Sequence, residues 1–447
     1  MKKLFGTDGI RGHAGEFPLD ENTVRMIGSS LAKQLKAESG SLPKIVTGRD
    51  TRESGEAIER AFHEGVKSAG AECLSAGVIT TPGVAYLTQT HDFNDGVVIS
   101  ASHNPFEDNG IKIFTPSGKK ADEQTERTIE ADVAAGIQID VSGAVDVDVS
   151  KAEQFQRDYS DHLAGEFVGL DLSKIKIVAD CANGAASNIA PDLFRRFGAD
   201  VTVIHADPNG RNINENCGSL HLEHLQKAVL ENKADFGVAF DGDADRALFV
   251  DEKGAIVDGD ATLWVMANFL LDNGNLTNRK VIATVMSNIG LELALRSRGI
   301  ELIRTAVGDK YVLEELLASG SQIGGEQSGH VIFPDRSIVG DGMLTALFLL
   351  NAIRDRERVF SQCTEGFVQY PQLLVNVKVR EKIPFETVPA IHEAAKAAEE
   401  RLSGTGRLLL RYSGTENLAR VMVEGREMAE IETLANELAA VIRTALG

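Results

Sequence analysis

Gly237-Val238-Ala239-Phe240-Asp241-Gly242-Asp243-Ala244-Asp245-Arg246-Ala247-Leu248-Phe249-Val250 passes from one short apolar segment to another through a loop with carboxylates at three alternate positions. Apolar runs of this length around a Gly-bearing turn predict two buried strands. Three acidic side chains held so close repel one another unless a cation neutralises them, and an all-oxygen set suits a hard ion such as magnesium. A calcium loop of the EF-hand kind competes, because Glu252 is the twelfth residue counted from Asp241. Against it, Arg246 stands where that loop needs Gly, and Val238 to Phe240 and Leu248 to Val250 read as strands, not helices. A solvated acidic turn is the plainer alternative.

Outward from this stretch, the chain repeats one pattern three times: apolar strand, polar or Gly-bearing loop, amphipathic helix, Gly, strand. The copies open at Lys44-Ile45-Val46-Thr47, Lys176-Ile177-Val178-Ala179 and Lys280-Val281-Ile282-Ala283, with helices near Gly55 to Ser68, Ala190 to Phe197 and Leu291 to Arg298. Each copy has a later strand that ends in a polar loop. These loops are Ser100-Ala101-Ser102-His103-Asn104-Pro105, the Asp241 loop, and Gly325-Glu326-Gln327-Ser328-Gly329-His330. Strands alternating with helices imply largely parallel sheets whose ligands sit at the carboxyl ends of the strands, so the three loops can line one cleft. From about Pro371 the order changes to strand, long helix, strand, strand, helix, an α+β arrangement with its own core. The fold class is therefore α/β, three similar domains with mixed, largely parallel sheets around a cleft, plus a smaller C-terminal α+β domain. The expected domains are residues 1–150, 151–255, 256–368 and 369–447.

Composition limits the functional classes. A formal net charge of -20 argues against broad nucleic-acid binding, which needs clustered Lys and Arg. Cys73, Cys181, Cys217 and Cys363 lie far apart without a CxxC or Cys/His spacing, which predicts reduced, buried thiols. Met1-Lys2-Lys3 leads straight into Phe5-Gly6-Thr7-Asp8, with no apolar leader, and the run Met343 to Ile353 is too short to span a bilayer. A cytoplasmic enzyme without a membrane partner is the expectation.

Ser102 beside His103 offers a hydroxyl that needs a base or a cation to act as a nucleophile, and no Gly-x-Ser-x-Gly elbow surrounds it. Glu326, Ser328 and His330 offer donors and acceptors for sugar hydroxyls. Arg411, Ser413, Gly414 and Thr415 combine a guanidinium, hydroxyls and bared amides, the makings of a phosphate cradle.

Together, Ser100 to Pro105, Asp241 to Arg246, Gly325 to His330 and Arg411 to Glu416 resemble the four signature loops of the α-D-phosphohexomutase family, in its order and over the whole chain. Phe5-Gly6-Thr7-Asp8-Gly9-Ile10-Arg11-Gly12 and Arg420-Val421-Met422-Val423-Glu424-Gly425 are most similar to its bacterial branch acting on glucosamine phosphate. Asn417 departs from the proline common in relatives. The resemblance implies a phosphoserine at Ser102, Mg²⁺ held by Asp241, Asp243, Asp245 and a phosphoryl oxygen on Ser102, and charge neutralisation by Arg11, Lys112 and Arg246. Lys112 and His103 share the candidacy for proton transfer. It further implies interconversion of glucosamine 6-phosphate and glucosamine 1-phosphate through a hexosamine or hexose 1,6-bisphosphate, sugar phosphates as small-molecule partners, and room for a homodimer. Glucose or mannose phosphate preference, a magnesium-dependent sugar phosphatase and a non-catalytic sugar-phosphate binder are the competing functions.

Overall fold

The computed structural model describes every residue except 1, 2, 7, 41, 138, 140–144, 357, 403 and 414–416. By contact the chain forms two compact units, Met1–Val285 with Ile303–Glu365, and Met286–Leu302 with Gly366–Gly447.

The first unit opens with β1 (Phe5–Gly6), β2 (Gly9–His13), α1 (Glu21–Ser39), β3 (Lys44–Arg49), α2 (Gly55–Ser68), β4 (Glu72–Val78), α3 (Thr81–Thr90), β5 (Asp95–Ile99), β6 (Asp108–Phe114) and α4 (Glu123–Ala135). Their sheet has the order β1-β2-β6-β5-β3-β4. Its apolar strands bury Ile45, Val97, Ile99 and Ile111 against Phe62 and Val66 of α2. Gly65 lets α2 lie against α1, where a Cβ would stand 2.0 Å from the Arg25 carbonyl oxygen. Asp20 caps α1 by accepting from the Thr23 amide.

Next come α5 (Ala152–Gly165), β7 (Lys176–Asp180), α6 (Ala190–Arg196), β8 (Asp200–Ile204), α7 (Glu223–Asn232), β9 (Phe236–Phe240), β10 (Ala247–Asp251), β11 (Ile256–Val257) and α8 (Gly259–Asp272), with sheet order β11-β10-β9-β7-β8. A third sheet, β13-β12-β14-β15, is built from β12 (Lys280–Thr284), β13 (Glu301–Thr305), β14 (Gly324–Gly325) and β15 (Val331–Ile332). Its chain segment also holds α9 (Ile289–Ser297), α10 (Asp309–Ser319), α11 (Gly342–Asp355) and α12 (Phe360–Cys363).

The sheets are mixed, with a definite division of labour. Strands linked through helices pair in parallel, as in β4-β3-β5 and β8-β7-β9, and so do β12 and β14. Each strand that leaves a polar loop turns straight back antiparallel, β5 to β6, β9 to β10 and β14 to β15. The last paired residues, Ile99 with Ile111, Phe240 with Ala247 and Gly325 with Val331, fix the three loops as tips of equivalent hairpins. This local reversal is what strand and helix alternation alone does not reveal.

In the second unit, β16 (Gln372–Lys378), β17 (Arg407–Tyr412) and β18 (Leu418–Glu424) form an antiparallel sheet in the order β16-β18-β17. α13 (Pro389–Leu402) and α14 (Met428–Leu446) supply the rest of its core, with Ile391, Leu402, Leu434 and Leu438 against Val377, Val421 and Val423. α9 belongs to this unit, since the buried Glu424 carboxylate accepts from the Ile289 amide at its first turn (3.2 Å) and from Arg407 Nε (2.9 Å). All four cysteines are free and buried. Among the described residues no helix is long and apolar enough to cross a membrane.

Candidate active site

Ser102 sits at the tip of the β5–β6 hairpin with φ 53°, a left-handed conformation rare for a residue with a Cβ. Three groups hold it there. The Ser102 amide donates to Ser100 Oγ (2.9 Å), and Ser100 Oγ donates to Asp50 Oδ2 (2.5 Å). Arg52, fully buried with its partner Asp50, donates to the Ser102 carbonyl (3.2 Å) and the Asn104 carbonyl (2.6 Å). Asn214 Nδ2 donates to the same two oxygens at 2.9 and 3.1 Å. With its backbone so fixed, Ser102 Oγ donates to Asp241 Oδ2 (2.5 Å) and lies 3.3 Å from His103 Nδ1.

The Asp241 loop reaches this point because Gly242 has no side chain. A Cβ there would stand 2.5 Å from the Ser102 carbonyl oxygen. Asp241, Asp243 and Asp245 are buried, with a carboxylate oxygen of each within 4.8 Å of the others. Thr81 Oγ1 and Lys112 Nζ satisfy Asp243 Oδ2 (2.6 and 2.9 Å), and Lys112 also reaches Asp245 Oδ2 (3.3 Å). The other oxygens, Asp243 Oδ1 and Asp245 Oδ1, are buried without a hydrogen-bond partner. Buried anionic oxygens without a hydrogen bond are costly, so this donor set suits a bound cation. The calcium-loop alternative fails here, because strands flank the loop and the Glu252 carboxylate is taken by the amide and hydroxyl of Ser361 (3.0 and 2.5 Å).

Burial, reinforced by Asp245 and Asp243, pushes the Asp241 carboxyl well above its ordinary value. Burial also works to raise Asp245, but Lys112, His330 and Arg246 overcome it and hold that carboxyl well below the usual range. For Lys112 desolvation favours the neutral amine, yet Asp243, Asp8 and Asp245 prevail and keep the ammonium charged. Burial, with Arg246 and Arg11 nearby, lowers His103, whose Nδ1 lies 3.2 Å from Arg246 Nη1.

Six charged or chargeable groups close into a ring of alternating sign. Lys112 stands 3.4 Å from Asp8, Lys120 bridges Asp8 (2.5 Å) and Asp309 (2.6 Å), and His330 lies 4.0 Å from Asp309 and 3.8 Å from Asp245, which returns to Lys112. Arg11 joins it through Asp8 (2.5 Å). The ring draws Asp245 from the second polar loop and His330 from the third, and Lys112 from β6, the strand that returns from the first. Sequence reasoning missed Asp8, Lys120 and Asp309, as it missed Asp50, Arg52, Thr81 and Asn214.

The third loop divides its side chains. Glu326 and Ser328 are half-buried, and Glu326 Oε1 accepts from the Gly308 amide (3.2 Å). His330, expected among the sugar ligands, is turned inward and buried, with its Nε2 accepting from the Gly340 amide (3.2 Å). The short β14–β15 hairpin points its closing residue back toward Asp245. In the second unit, Arg411 faces Arg420 across β17 and β18, and Arg420 Nη2 reaches Ser413 Oγ (3.5 Å) while Lys382 Nζ donates to the Ser413 carbonyl (2.6 Å). Like charges opposed across a sheet repel, so this cluster suits an anion. Arg420 and Lys382 were not singled out from the sequence, although Arg420 is the hairpin partner of Arg411. Gly414 and Thr415 lie outside the described residues.

Four domain families match in order: alpha/beta/alpha domains I, II and III of phosphoglucomutase/phosphomannomutase over residues 2–140, 157–254 and 258–370, and the C-terminal domain over 374–441. The chain belongs to the phosphoglucomutase/phosphomannomutase family. Its resemblance to the phosphohexomutases, read from four loops, is thereby borne out. Among its relatives, the phosphoglucosamine mutase of Solibacter usitatus is 48% identical over 446 residues, covering 100% of this chain and 99% of that protein. That of Caldicellulosiruptor bescii is 47% identical over 453 residues and covers 100% of both. A phosphohexomutase fold recurs in a phosphoglucomutase/phosphomannomutase family protein from Burkholderia thailandensis, with TM-score 0.80, 23% identity and coverage of 100% and 98%. The N-acetylphosphoglucosamine mutase of Aspergillus fumigatus, solved with GlcNAc-6P and magnesium, matches at TM-score 0.67 and 19% identity over 99% and 96% of the two chains. This phosphohexomutase is an isomerase that moves a phosphoryl group within its substrate.

Proposed function

We propose that the enzyme interconverts glucosamine 6-phosphate and glucosamine 1-phosphate, with Ser102 carrying the phosphoryl group in transit. Two observations support this reading: full-length relatives at 46–48% identity that are phosphoglucosamine mutases, and a buried serine Oγ 2.5 Å from an acidic cluster. Asp241, Asp243 and Asp245 would hold Mg²⁺, which when bound neutralises charge on the transferring phosphoryl group.

Phospho-Ser102 gives its phosphoryl group to the free hydroxyl of the sugar phosphate. The Oγ–P bond breaks, a sugar O–P bond forms, and the hydroxyl proton passes to a base. Of the two candidates, Lys112 is held as an ammonium by Asp243, Asp8 and Asp245 and serves as a cation, which leaves the His103 imidazole as the acceptor. The resulting 1,6-bisphosphate turns around and returns its other phosphoryl group to Ser102. Arg11, Lys112 and Arg246 stabilise the charge that develops on the phosphoryl oxygens. Glu326 and Ser328 orient the ring hydroxyls, and Arg411, Ser413, Gly414 and Thr415 grip the phosphate that is not in transit. His330, buried beside Asp245, aligns the third loop instead of touching sugar.

The test is phosphorus NMR of the purified protein with Mg²⁺, a trace of hexose 1,6-bisphosphate and, separately, glucosamine, glucose and mannose 6-phosphates. Fastest formation of glucosamine 1-phosphate supports the substrate assignment; a faster glucose or mannose reaction overturns it. Release of inorganic phosphate alone removes the mutase mechanism.

A further inference from the structure

At the carboxyl ends of β7 and β8, three side chains of different chemistry converge. Asp180 closes β7, His205 directly follows β8, and Cys217 ends the loop that returns to the Ala182 turn, where the Asn214 amide donates to the Ala182 carbonyl. One ligand atom of each lies within 4.8 Å of the other two. Asp180 and Cys217 are buried, while the His205 side chain is 25% exposed. His205 Nδ1 and Asp180 Oδ2 are 2.9 Å apart, and Asn183 Nδ2 lies 3.9 Å from Cys217 Sγ. The mutase mechanism uses none of the three.

We propose that Asp180, His205 and Cys217 form a second metal site, for a borderline-soft divalent ion of the zinc class, separate from the all-oxygen magnesium site. A thiolate and an imidazole select such an ion over magnesium, which takes oxygen ligands. Three protein ligands leave a fourth position for water, on the side where His205 meets solvent and the ion enters. The ion takes the place of the Cys217 thiol proton, which leaves to solvent, and of the hydrogen between His205 Nδ1 and Asp180 Oδ2, which passes by way of solvent to His205 Nε2.

The backbone around the cluster is built for convergence. Ala182, Asn183, His205, Asn214 and Asn216 all have φ between 48° and 59°. They are five of the nine non-glycine residues with positive φ among those described, gathered in two loops. Such conformations persist where the surroundings over-determine them. The same loops deliver Asn214 to the Ser102 carbonyl (2.9 Å) and the Asn183 carbonyl to Thr51 Oγ1 (2.5 Å). An ion at the cluster therefore fastens the loop that braces the nucleophile.

Cobalt(II) reports directly on sulfur ligation, because a thiolate bound to cobalt gives an intense near-ultraviolet charge-transfer band and oxygen ligands do not. The full chain, stripped with a chelator, is titrated with Co²⁺ in saturating Mg²⁺. The band should saturate at one equivalent, survive in Asp243→Asn and Cys181→Ser, vanish in Cys217→Ser, and be displaced by Zn²⁺. No band at stoichiometric cobalt, or one that persists in Cys217→Ser, overturns the proposal. Should Cys217→Ser fail to fold, His205→Asn and Asp180→Asn decide: each should weaken cobalt binding by about tenfold or more, and unchanged affinity in both overturns the site.

Discussion

Lys112 Nζ lies 2.9 Å from Asp243 Oδ2, on the opposite side of a carboxylate whose Oδ1 has no partner. The lysine thus neutralises part of the acidic cluster and leaves the remainder for a metal. Lys112→Met should lower kcat by at least about a hundredfold through lost charge stabilisation. The same change should tighten Mg²⁺ binding, since the cluster loses its internal cation. Calorimetric titration with Mg²⁺ beside steady-state kinetics checks the split; weaker magnesium binding would contradict it.

Ser102→Ala should cut turnover by on the order of 10⁵-fold, the scale on which a lost nucleophile is felt. Binding of glucosamine 6-phosphate, followed by calorimetry, should stay near the parent value because the groups assigned to the sugar and distal phosphate are untouched. Near-normal turnover in this variant would end the phosphoserine mechanism.

Lys120 acts through its neighbours. Replacing it by Met opens the charge ring between Asp8 and Asp309, and by analogy with supporting residues of metal sites should cost about ten- to a hundredfold in kcat or in Mg²⁺ affinity. Lys120→Arg, which keeps the charge, should restore part of the loss. Equal impairment in both variants would argue for a packing role only.

Asp95, buried at the start of β5, has its carboxyl pushed up to about 8 by burial, with Glu38 and Asp122 adding repulsion. An unfolded Asp titrates near 3.9. Between those two values the folded protein binds the extra proton, so its contribution to stability falls as pH rises from about 4 toward 8. Asp95→Asn removes this penalty without changing the shape of the side chain. Its melting temperature should exceed the parent's by a few degrees at pH 8 and converge with it near pH 4; a difference independent of pH would refute the assignment.

The three hairpin loops were legible because apolar strand and polar tip are adjacent in sequence, so local pattern carries them. Asp241, Asp243 and Asp245 announce themselves by mutual repulsion alone. Their supports do not. Asn214 meets the Ser102 carbonyl across 112 residues, and Lys120 meets Asp309 across 189. Only the chain's return through several sheets creates those pairs. Asp50 and Arg52 could have been found, because they follow β3, the parallel neighbour of β5, and must therefore end beside the Ser102 loop. The inward turn of His330 and the grouping of α9 with the C-terminal sheet depend on packing that no local pattern encodes.

The left-handed backbone of Ser102 bears on which amino acids evolution can place there. A branched Cβ is tolerated poorly at φ 53°, so threonine, chemically able to carry a phosphoryl group, is barred by sterics. Ser102→Thr should be nearly as inactive as the alanine variant while remaining folded. The loop thereby enforces its own one-letter alphabet: a hydroxyl is required by the chemistry, and an unbranched carbon beneath it is required by the turn.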